Sequence, residues 1–236
     1  MCTLTFVAVS NKFIITHNRD EKILRHRALE PRNYLVNKQV ILFPKDEKAG
    51  GTWFAISKKG TIIVLLNGGE VKHEQKLSYR KSRGIIVLDL ITSKIVINEW
   101  DLINLEHIEP FTLVLFENSN LYQLRWNGTE KLKVLIDKTK PHIWSSATLY
   151  SAEIVEQRVH WFNFFLKNNT NLNENKLIHF HQNTENENTE NGLIINRNNE
   201  VKTLSITQSI VEDNKITTKY IDLIAKKEFL TSQINI

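Results

Sequence analysis

Residues 1–21, MCTLTFVAVSNKFIITHNRDE, contain two runs of strand-forming residues, 3–9 and 13–17, separated by residues 10–12. Valine, isoleucine, phenylalanine and threonine favour strands, and a short polar stretch between two such runs predicts an antiparallel hairpin. This hairpin brings the start of the chain next to the polar group Asn18-Arg19-Asp20-Glu21 at the end of the second run.

The length of the hairpin loop decides which polar residue lies opposite Cys2. A two-residue loop at Ser10-Asn11 places Cys2 opposite Arg19, whereas the two other plausible loops place it opposite Asp20 or Glu21. Directly paired residues lie about 5 Å apart, so a polar side chain reaches Cys2 in each register. The sequence leaves all three registers open.

Cys2 is the only cysteine and follows Met1, the only methionine. Methionine aminopeptidases remove an initiator methionine before a small residue, so the mature chain can begin with a cysteine that carries a thiol and a free α-amine. Their reference pKa values are about 8.5 and about 7.7–8.0, so the amine can accept the thiol proton near neutral pH. These are the groups of an N-terminal-nucleophile hydrolase. The alternative is a small buried residue at the start of an edge strand.

The length and composition predict one domain over residues 1–236, because 236 residues that are 41% hydrophobic can bury a substantial core. A single cysteine excludes an internal disulfide framework and is typical of a reducing compartment, so we expect a cytoplasmic protein. The chain contains no apolar run long enough to span a bilayer, and its start does not resemble a signal peptide.

The net charge of +5 permits a polyanionic partner. The lysines and arginines are scattered along the chain, however, and no basic strip is interleaved with aromatic residues. We therefore expect no nucleic-acid partner.

The rest of the chain predicts hairpins interrupted by helices. The expected hairpins pair residues 51–57 with 61–66, 111–116 with 121–126, and 202–211 with 216–223; a further strand is expected at 131–136, and helices at 85–91 and 152–166. Paired strands and two separate helical groups predict an α+β fold with antiparallel sheets. The stretch around 168–200 is rich in asparagine and glutamate, which predicts a polar surface loop inside the domain.

Four motifs, Met1-Cys2-Thr3-Leu4, Asn18-Arg19-Asp20-Glu21, Gly50-Gly51-Thr52-Trp53 and Leu66-Asn67, resemble the NRDE family of transport and Golgi organisation 2-like proteins. The resemblance is specific over roughly the first seventy residues. It implies a cysteine N-terminal-nucleophile protein that is related in fold to penicillin V acylases and bile-salt hydrolases, with a four-layer αββα sandwich of antiparallel sheets. Other members have been connected with haem trafficking and with acyl-lipid handling.

The leading hypothesis is hydrolysis of a linear, non-peptide amide without a cofactor. Cys2 sulfur attacks the carbonyl to form a thioester, and its own α-amine acts as the base. Arg19 beside the sulfur lowers the thiol pKa, and Asp20 holds the α-ammonium. Asn18 or Glu21 orients either group.

Two further residues are candidates for contact with the ligand. Asn67 follows a predicted strand and precedes two glycines, so its side-chain amide is a candidate oxyanion donor or, alternatively, an ordinary turn residue. Trp53 follows a double glycine and is a candidate binding residue, although a core position after a tight bend explains it better.

The competing hypothesis is a non-catalytic carrier of haem or an acyl lipid on the same fold. Haem iron takes thiolate and imidazole ligands, and Cys2, His17 and His26 lie near the expected site. His179 and His181 would share one face of a strand, but no third ligand accompanies them, so no metal site is expected.

Two departures from the family pattern bear on substrate binding. A Ser-Asn pair that often precedes the long helix is replaced by Ser145-Ser146-Ala147, and an arginine that is common in a late strand is missing from Thr203-Leu204-Ser205. If these stretches correspond, two polar groups of the related hydrolases are missing, which puts substrate binding and turnover in question.

Overall fold

The structure, a computed structural model, describes residues 2–25 and 28–234. The strands in this part of the chain are β1 Cys2–Val9, β2 Lys12–Lys22, β3 Ala28–Val36, β4 Gln39–Asp46, β5 Phe54–Ser57, β6 Ile62–Asn67, β7 Phe111–Glu117, β8 Asn120–Trp126, β9 Lys131–Ile136, β10 His142–Ser145, β11 Asn196–Arg197, β12 Val201–Glu212, β13 Lys215–Asp222 and β14 Lys227–Ile234. The helices are α1 Arg83–Ile91, α2 Val96–Leu102, α3 Ala152–Asn168 and α4 Glu174–Asn183.

The chain divides into two compact units, one of residues 1–25 and 138–233 and the other of residues 26–137 and 234–236. The first unit contains α3, α4 and a seven-stranded sheet of order β10-β1-β2-β12-β13-β14, in which β11 also pairs with β12. The second contains α1, α2 and a seven-stranded sheet that runs in sequence order from β3 to β9. The strand pairs are antiparallel, which confirms the predicted α+β class.

The turn between β1 and β2 selects one of the three registers that the sequence permits. The loop consists of Ser10 and Asn11, and Cys2 pairs with Arg19. Ser10 has a φ of 53°, the left-handed backbone conformation that a two-residue hairpin loop requires. The registers that place Asp20 or Glu21 opposite Cys2 do not form.

Both predicted helices form, and both extend beyond the predicted ranges. Ser82 caps α1, because its side chain accepts a hydrogen bond from the Ile85 N–H. The strands β3, β4, β10, β11 and β14 and helix α2 were not predicted. In β3, Pro31 obscures the strand pattern, and proline is tolerated there because β3 lies at the edge of its sheet.

The prediction of a loop throughout 168–200 is wrong, because helix α4 lies within this segment. Asn173 caps the helix by accepting a hydrogen bond from the Lys176 N–H at 2.9 Å. Leu177 and Phe180 are three residues apart and therefore share a helix face. They lie in a buried core cluster that comprises Val7, Ile14, Phe162, Leu177, Phe180 and Leu193. The many asparagines concealed this short amphipathic pattern.

The histidines at 179 and 181 do not share a strand face, because both lie in α4. His179 is exposed, whereas His181 is fully buried and anchors the helix to the sheet. Its Nδ1 lies 2.8 Å from Asn18 Oδ1, which can only accept, so Nδ1 carries the proton and donates. Its Nε2 accepts from the Thr5 hydroxyl at 2.8 Å.

Burial lowers the pKa of His181 to about 3, and the positive charge of Arg158 acts in the same direction. The imidazole is therefore neutral in the folded protein at any pH near neutrality. Asn18 also donates from Nδ2 to the carbonyls of His181 at 3.0 Å and Leu193 at 2.8 Å.

The double glycine at 50–51 serves close packing within the second unit. A Cβ on Gly51 would lie 2.4 Å from the backbone carbon of Gly84, which is in the first turn of α1. The Thr52 N–H donates to the Gly84 carbonyl at 3.2 Å, so the two backbones are hydrogen-bonded where they meet. Trp53 follows this bend and is buried, as the core interpretation of the motif predicts.

We predict that Gly51→Ala lowers the unfolding free energy by about 1–3 kcal/mol, because the added methyl forces α1 away from the bend. Urea denaturation measures this change. Lys48→Ala is the control, since its side chain is exposed in the neighbouring turn and its loss should change stability by less than about 0.5 kcal/mol. Equal stability of Gly51→Ala and wild type would contradict the close packing.

We also predict that His181 makes the protein acid-labile. Its folded pKa of about 3 lies below the unfolded value of about 6.5, so the unfolded chain binds more protons across this window and stability falls as the pH is lowered. Between pH 7 and 4.5 this residue alone should cost about 2–3 kcal/mol. His181→Gln should be less stable at pH 7 but lose less on acidification, measured by urea denaturation at both pH values.

His107→Gln is the matched control for the acid effect, because the His107 side chain is 69% exposed. This variant should show the wild-type loss of stability between the two pH values. An unchanged acid loss in His181→Gln would show that the imidazole is not the group responsible.

Candidate functional site

Cys2 is the first described residue of β1, which lies between β10 and β2. Its side chain is 2% exposed, and its carbonyl accepts a hydrogen bond from the Ser146 N–H at 2.9 Å. Ser146 belongs to the stretch Ser145-Ser146-Ala147, which therefore lies beside the cysteine. Cys2 is held by backbone pairing on both sides.

Arg19 is the residue paired with Cys2 across the hairpin. The two residues are direct partners in the β1–β2 register, so their side chains lie on the same face of the sheet. Arg19 is buried, and its Nη2 lies 4.0 Å from Glu21 Oε2. Glu21 also receives Arg25 Nη1 at 3.3 Å, so this carboxylate lies within a small charged cluster at the end of β2.

The pKa of the Cys2 thiol is raised, chiefly by burial and further by the Asp20 carboxylate. Arg19 acts in the predicted direction and lowers the pKa, but burial outweighs it. In the unprocessed chain Cys2 is therefore a neutral thiol near neutral pH.

Asp20 lies on the opposite face of the sheet, because side chains alternate along β2. Its Oδ2 accepts from the Tyr150 hydroxyl and its Oδ1 from the Thr203 hydroxyl, each at 2.7 Å. Burial raises the pKa of Asp20, while the charge of Arg158 and the two hydrogen bonds oppose this rise. Sequence analysis selected Asp20 but none of the partners that hold it.

Arg158 is the buried cation of this layer, and sequence analysis missed it. Arg158 is 0% exposed, whereas its neighbour Val159 is 37% exposed. Arg158 lies four residues before the core residue Phe162, so the two residues share a helix face, and this spacing was the signal in the sequence that could have identified Arg158 as buried.

The Arg158 guanidinium is fully engaged. Its carbon lies 3.6 Å from the centre of the Tyr150 ring, a cation–π contact. Nη2 donates to the Gly192 carbonyl at 2.6 Å, and Nη1 donates to the Thr3 hydroxyl. Arg158 therefore connects α3 to β1, and Tyr150 connects Arg158 to Asp20.

A β-bulge at Leu204 positions two residues of β12 on opposite faces. Thr203 pairs with Asp20, and Ser205, only two positions later, pairs with Arg19. Without the bulge, residues 203 and 205 would share a face. The bulge turns Thr203 towards Asp20 and places Ser205 on the face that carries Cys2.

The remaining predicted residues are distributed over both units. Asn18 lies on the α4 face, where its side chain bonds to His181 and Leu193. His17 is buried on the Cys2 face, paired with Leu4. Met1 and His26 lie outside the described residues.

Asn67 and Trp53 belong to the second unit. Asn67 ends β6, paired with Phe111, and the Gly68 that follows donates its N–H to the Pro110 carbonyl at 3.0 Å. This geometry agrees with a defined turn after the strand. The roles of Asn67 as oxyanion donor and Trp53 as binding residue remain predictions.

Two further observations on the described residues concern metal binding and membrane-spanning helices. Within 2–25 and 28–234, no three histidine, cysteine, aspartate or glutamate side chains are grouped to hold a metal ion. In the same part of the chain, no helix has the length and hydrophobicity needed to cross a bilayer.

Comparison with solved structures shows the fold. The C2A mutant of the conjugated bile acid hydrolase from Clostridium perfringens matches with a TM-score of 0.59 and 9% identity, covering 98% of this chain and 92% of that chain. An arginine-to-leucine variant of the same hydrolase matches with a TM-score of 0.58 and 8% identity, with the same 98% and 92% coverage. The Caenorhabditis elegans ortholog of N-acylethanolamine-hydrolyzing acid amidase matches with a TM-score of 0.53 and 10% identity, covering 88% and 92%.

These similarities confirm the predicted α+β fold of the αββα, N-terminal-nucleophile hydrolase class. A comparison with curated protein sequences found no match. The family model for Transport and Golgi organisation 2 matches residues 1–229. The chain therefore belongs to the Transport and Golgi organisation 2 family, the NRDE family that its four motifs resemble.

Proposed function

We propose that the protein is a cysteine N-terminal-nucleophile amidohydrolase that acts on a linear, non-peptide amide through Cys2. The observation that supports this proposal is the pairing of Cys2 with Arg19 at the start of β1. It places the only thiol of the chain beside a cation, at the position where removal of one residue creates a free α-amine.

Removal of Met1 is the activating step in this proposal. While Met1 is attached, the Cys2 nitrogen is an amide and cannot act as a base. Its release creates an α-amine with a reference pKa of about 7.7–8.0, which can accept the thiol proton near neutral pH. The raised pKa of the buried thiol in the unprocessed chain agrees with an inactive precursor.

The reaction then needs no group beyond the processed chain and water. The α-amine takes the thiol proton, and the Cys2 sulfur forms a bond to the amide carbonyl carbon. The C–N bond of the tetrahedral intermediate breaks, the α-ammonium protonates the leaving amine, and a thioester remains. Water attacks the thioester with the amine again as base, which releases the carboxylic acid and restores the thiol.

Two residues assist this chemistry in the proposal. Arg19 stabilises the thiolate, since its charge already acts to lower the pKa of Cys2. Asp20, held by Tyr150 and Thr203, holds the α-ammonium.

Two structural relatives support the proposed substrate class. One hydrolyses conjugated bile acids and another hydrolyses N-acylethanolamines. We infer a small amide of comparable type for this chain. Its single cysteine also agrees with a reducing compartment such as the cytoplasm.

A carrier of haem or an acyl lipid is the second candidate. Cys2 and His17 lie on the same face of adjacent strands, and both residue types ligate haem iron. This function requires stoichiometric binding that persists without a free α-amine.

We predict that protein from a processing-competent host lacks Met1 and takes one acyl adduct, confined to Cys2, from a β-lactam probe. Intact-mass measurement followed by peptide mapping reads out both events. Cys2→Ala should lose Met1 but take no adduct. A chain with leucine inserted between Met1 and Cys2 should keep Met1 and also take no adduct.

Retention of Met1 in the wild type, or an adduct on the leucine-inserted chain, would refute the proposed mechanism. Titration with haem and with fatty acyl ligands then tests the carrier. Loss of a haem Soret shift in Cys2→Ala would support cysteine ligation.

We further predict that Arg19→Leu raises the thiol pKa and slows alkylation of Cys2 by iodoacetamide several-fold at pH 8, because a nearby cation is lost. The pH dependence of the alkylation rate measures this effect. Arg25→Leu is the matched control, since Arg25 shares the Glu21 carboxylate with Arg19. Superimposable profiles for Arg19→Leu and wild type would remove Arg19 from its proposed role.

A further inference from the structure

Two buried hydroxyl groups on β12 lack a hydrogen-bond partner. Ser205 Oγ and Thr207 Oγ1 make no hydrogen bond to any other part of the described chain, although their residues are 1% and 0% exposed. A buried unpaired hydroxyl destabilises a protein, and such groups are rare in folded domains. Ser205 and Thr207 are successive residues on one face of the same strand, so their unpaired hydroxyls require an explanation.

The strand register places both hydroxyls on the face that carries the nucleophile. Ser205 pairs with Arg19, which pairs with Cys2, so these three side chains form one row across β12, β2 and β1. Thr207 pairs with His17 in the next row on the same face. The distance from Cys2 to Ser205 across the sheet is two strand spacings, roughly 10 Å.

The bulge at Leu204 is the reason that a hydroxyl occupies this row. Because the bulge adds one residue after Thr203, the side chains of Ser205 and Thr207 lie on the face of the sheet opposite to Asp20. On that other side, Thr203 is fully paired, donating to Asp20 and accepting from the Ile195 N–H. The two β12 hydroxyls that lack a hydrogen-bond partner therefore both lie on the Cys2 face of the sheet.

We propose that Ser205 and Thr207 form a substrate subsite that hydrogen-bonds an oxygen-bearing group on the acyl arm of the amide. We assign the oxygen-bearing group to the acyl arm and not to the amine. The leaving amine must lie near the Cys2 α-amine, which protonates it, and that group is at the very start of β1. The acyl arm then extends across β2 towards β12. The proposed substrate is therefore an amide whose acyl part carries a hydroxyl or carboxylate about 10 Å from the carbonyl. An acyl part that is only a hydrocarbon chain would leave the two hydroxyls unpaired.

This inference rests on the proposed function, and a matched probe series tests it. The probes are 4-nitroanilides of octanoic acid, 8-hydroxyoctanoic acid and octanedioic acid, in which only the far end of the acyl arm changes. Wild-type processed protein should show kcat/KM about tenfold higher for at least one oxygen-bearing probe than for the octanoyl probe. The hydroxyl and carboxylate probes distinguish the two oxygen groups.

Ser205→Ala and Thr207→Val should reduce this preference to about onefold by weakening only the oxygen-bearing probes. Neither variant should lower the melting temperature, because each removes an unpaired hydroxyl. Ser209→Ala is the matched control, since Ser209 is a buried serine two positions further along β12 whose hydroxyl is paired with Thr218 at 2.9 Å. That variant should lower the melting temperature and keep the wild-type preference.

A wild type that hydrolyses all three probes equally would overturn the subsite and leave the hydrolase proposal standing. If the wild type hydrolyses none of them, calorimetric binding to Cys2→Ala decides separately. Tighter binding of an oxygen-bearing probe that is lost in Cys2→Ala combined with Ser205→Ala supports the subsite without turnover. Equal or undetectable binding of all three probes overturns it.

Discussion

The two-residue turn at Ser10-Asn11 is the constraint on which the site depends. It sets the pairing of Cys2 with Arg19, and the alternation of side chains then decides the face of every neighbouring residue. A register shifted by one residue would place Asp20 opposite the thiol and move Arg19 away. The thiol would then lie beside a carboxylate in a buried position, which disfavours the thiolate. The turn thereby determines which charged side chain lies beside the Cys2 thiol.

The sheet of the first unit separates two kinds of chemistry. The face towards α3 and α4 holds a buried, hydrogen-bonded layer in which Asp20, Tyr150 and Arg158 are connected. Burying a carboxylate and a guanidinium is costly unless both are paired, and here each has several partners. The other face carries Cys2 and the unpaired hydroxyls of β12. The hydrogen-bonded polar groups give rigidity behind Cys2, and the unpaired hydroxyls of Ser205 and Thr207 lie on the same face as Cys2.

Sequence reasoning identified the residues whose chemistry is local. A lone cysteine after the initiator methionine, a strand-turn-strand pattern and the polar group at the end of the second strand are all readable within twenty-one residues. The helix capped by Ser82 is also a local signal. Sequence reasoning failed for α4, because the polar composition of this segment concealed an amphipathic helix. It also failed for Arg158, because a buried arginine is indistinguishable from an exposed one until its partners are known.

The sequence by itself determined the lone cysteine as the candidate nucleophile, the hairpin that carries it and the α+β class, since each follows from residue type and short-range spacing. Only the tertiary structure decided the register, the net pKa direction of Cys2 and the partners of Asp20. Those partners, Tyr150 and Thr203, are 130 and 183 residues away along the chain. The face of the sheet on which the Ser205 side chain lies depends on a one-residue bulge in β12 where it pairs with β2. Such properties arise from contacts between distant segments, and burial then sets the strength of every charge among them.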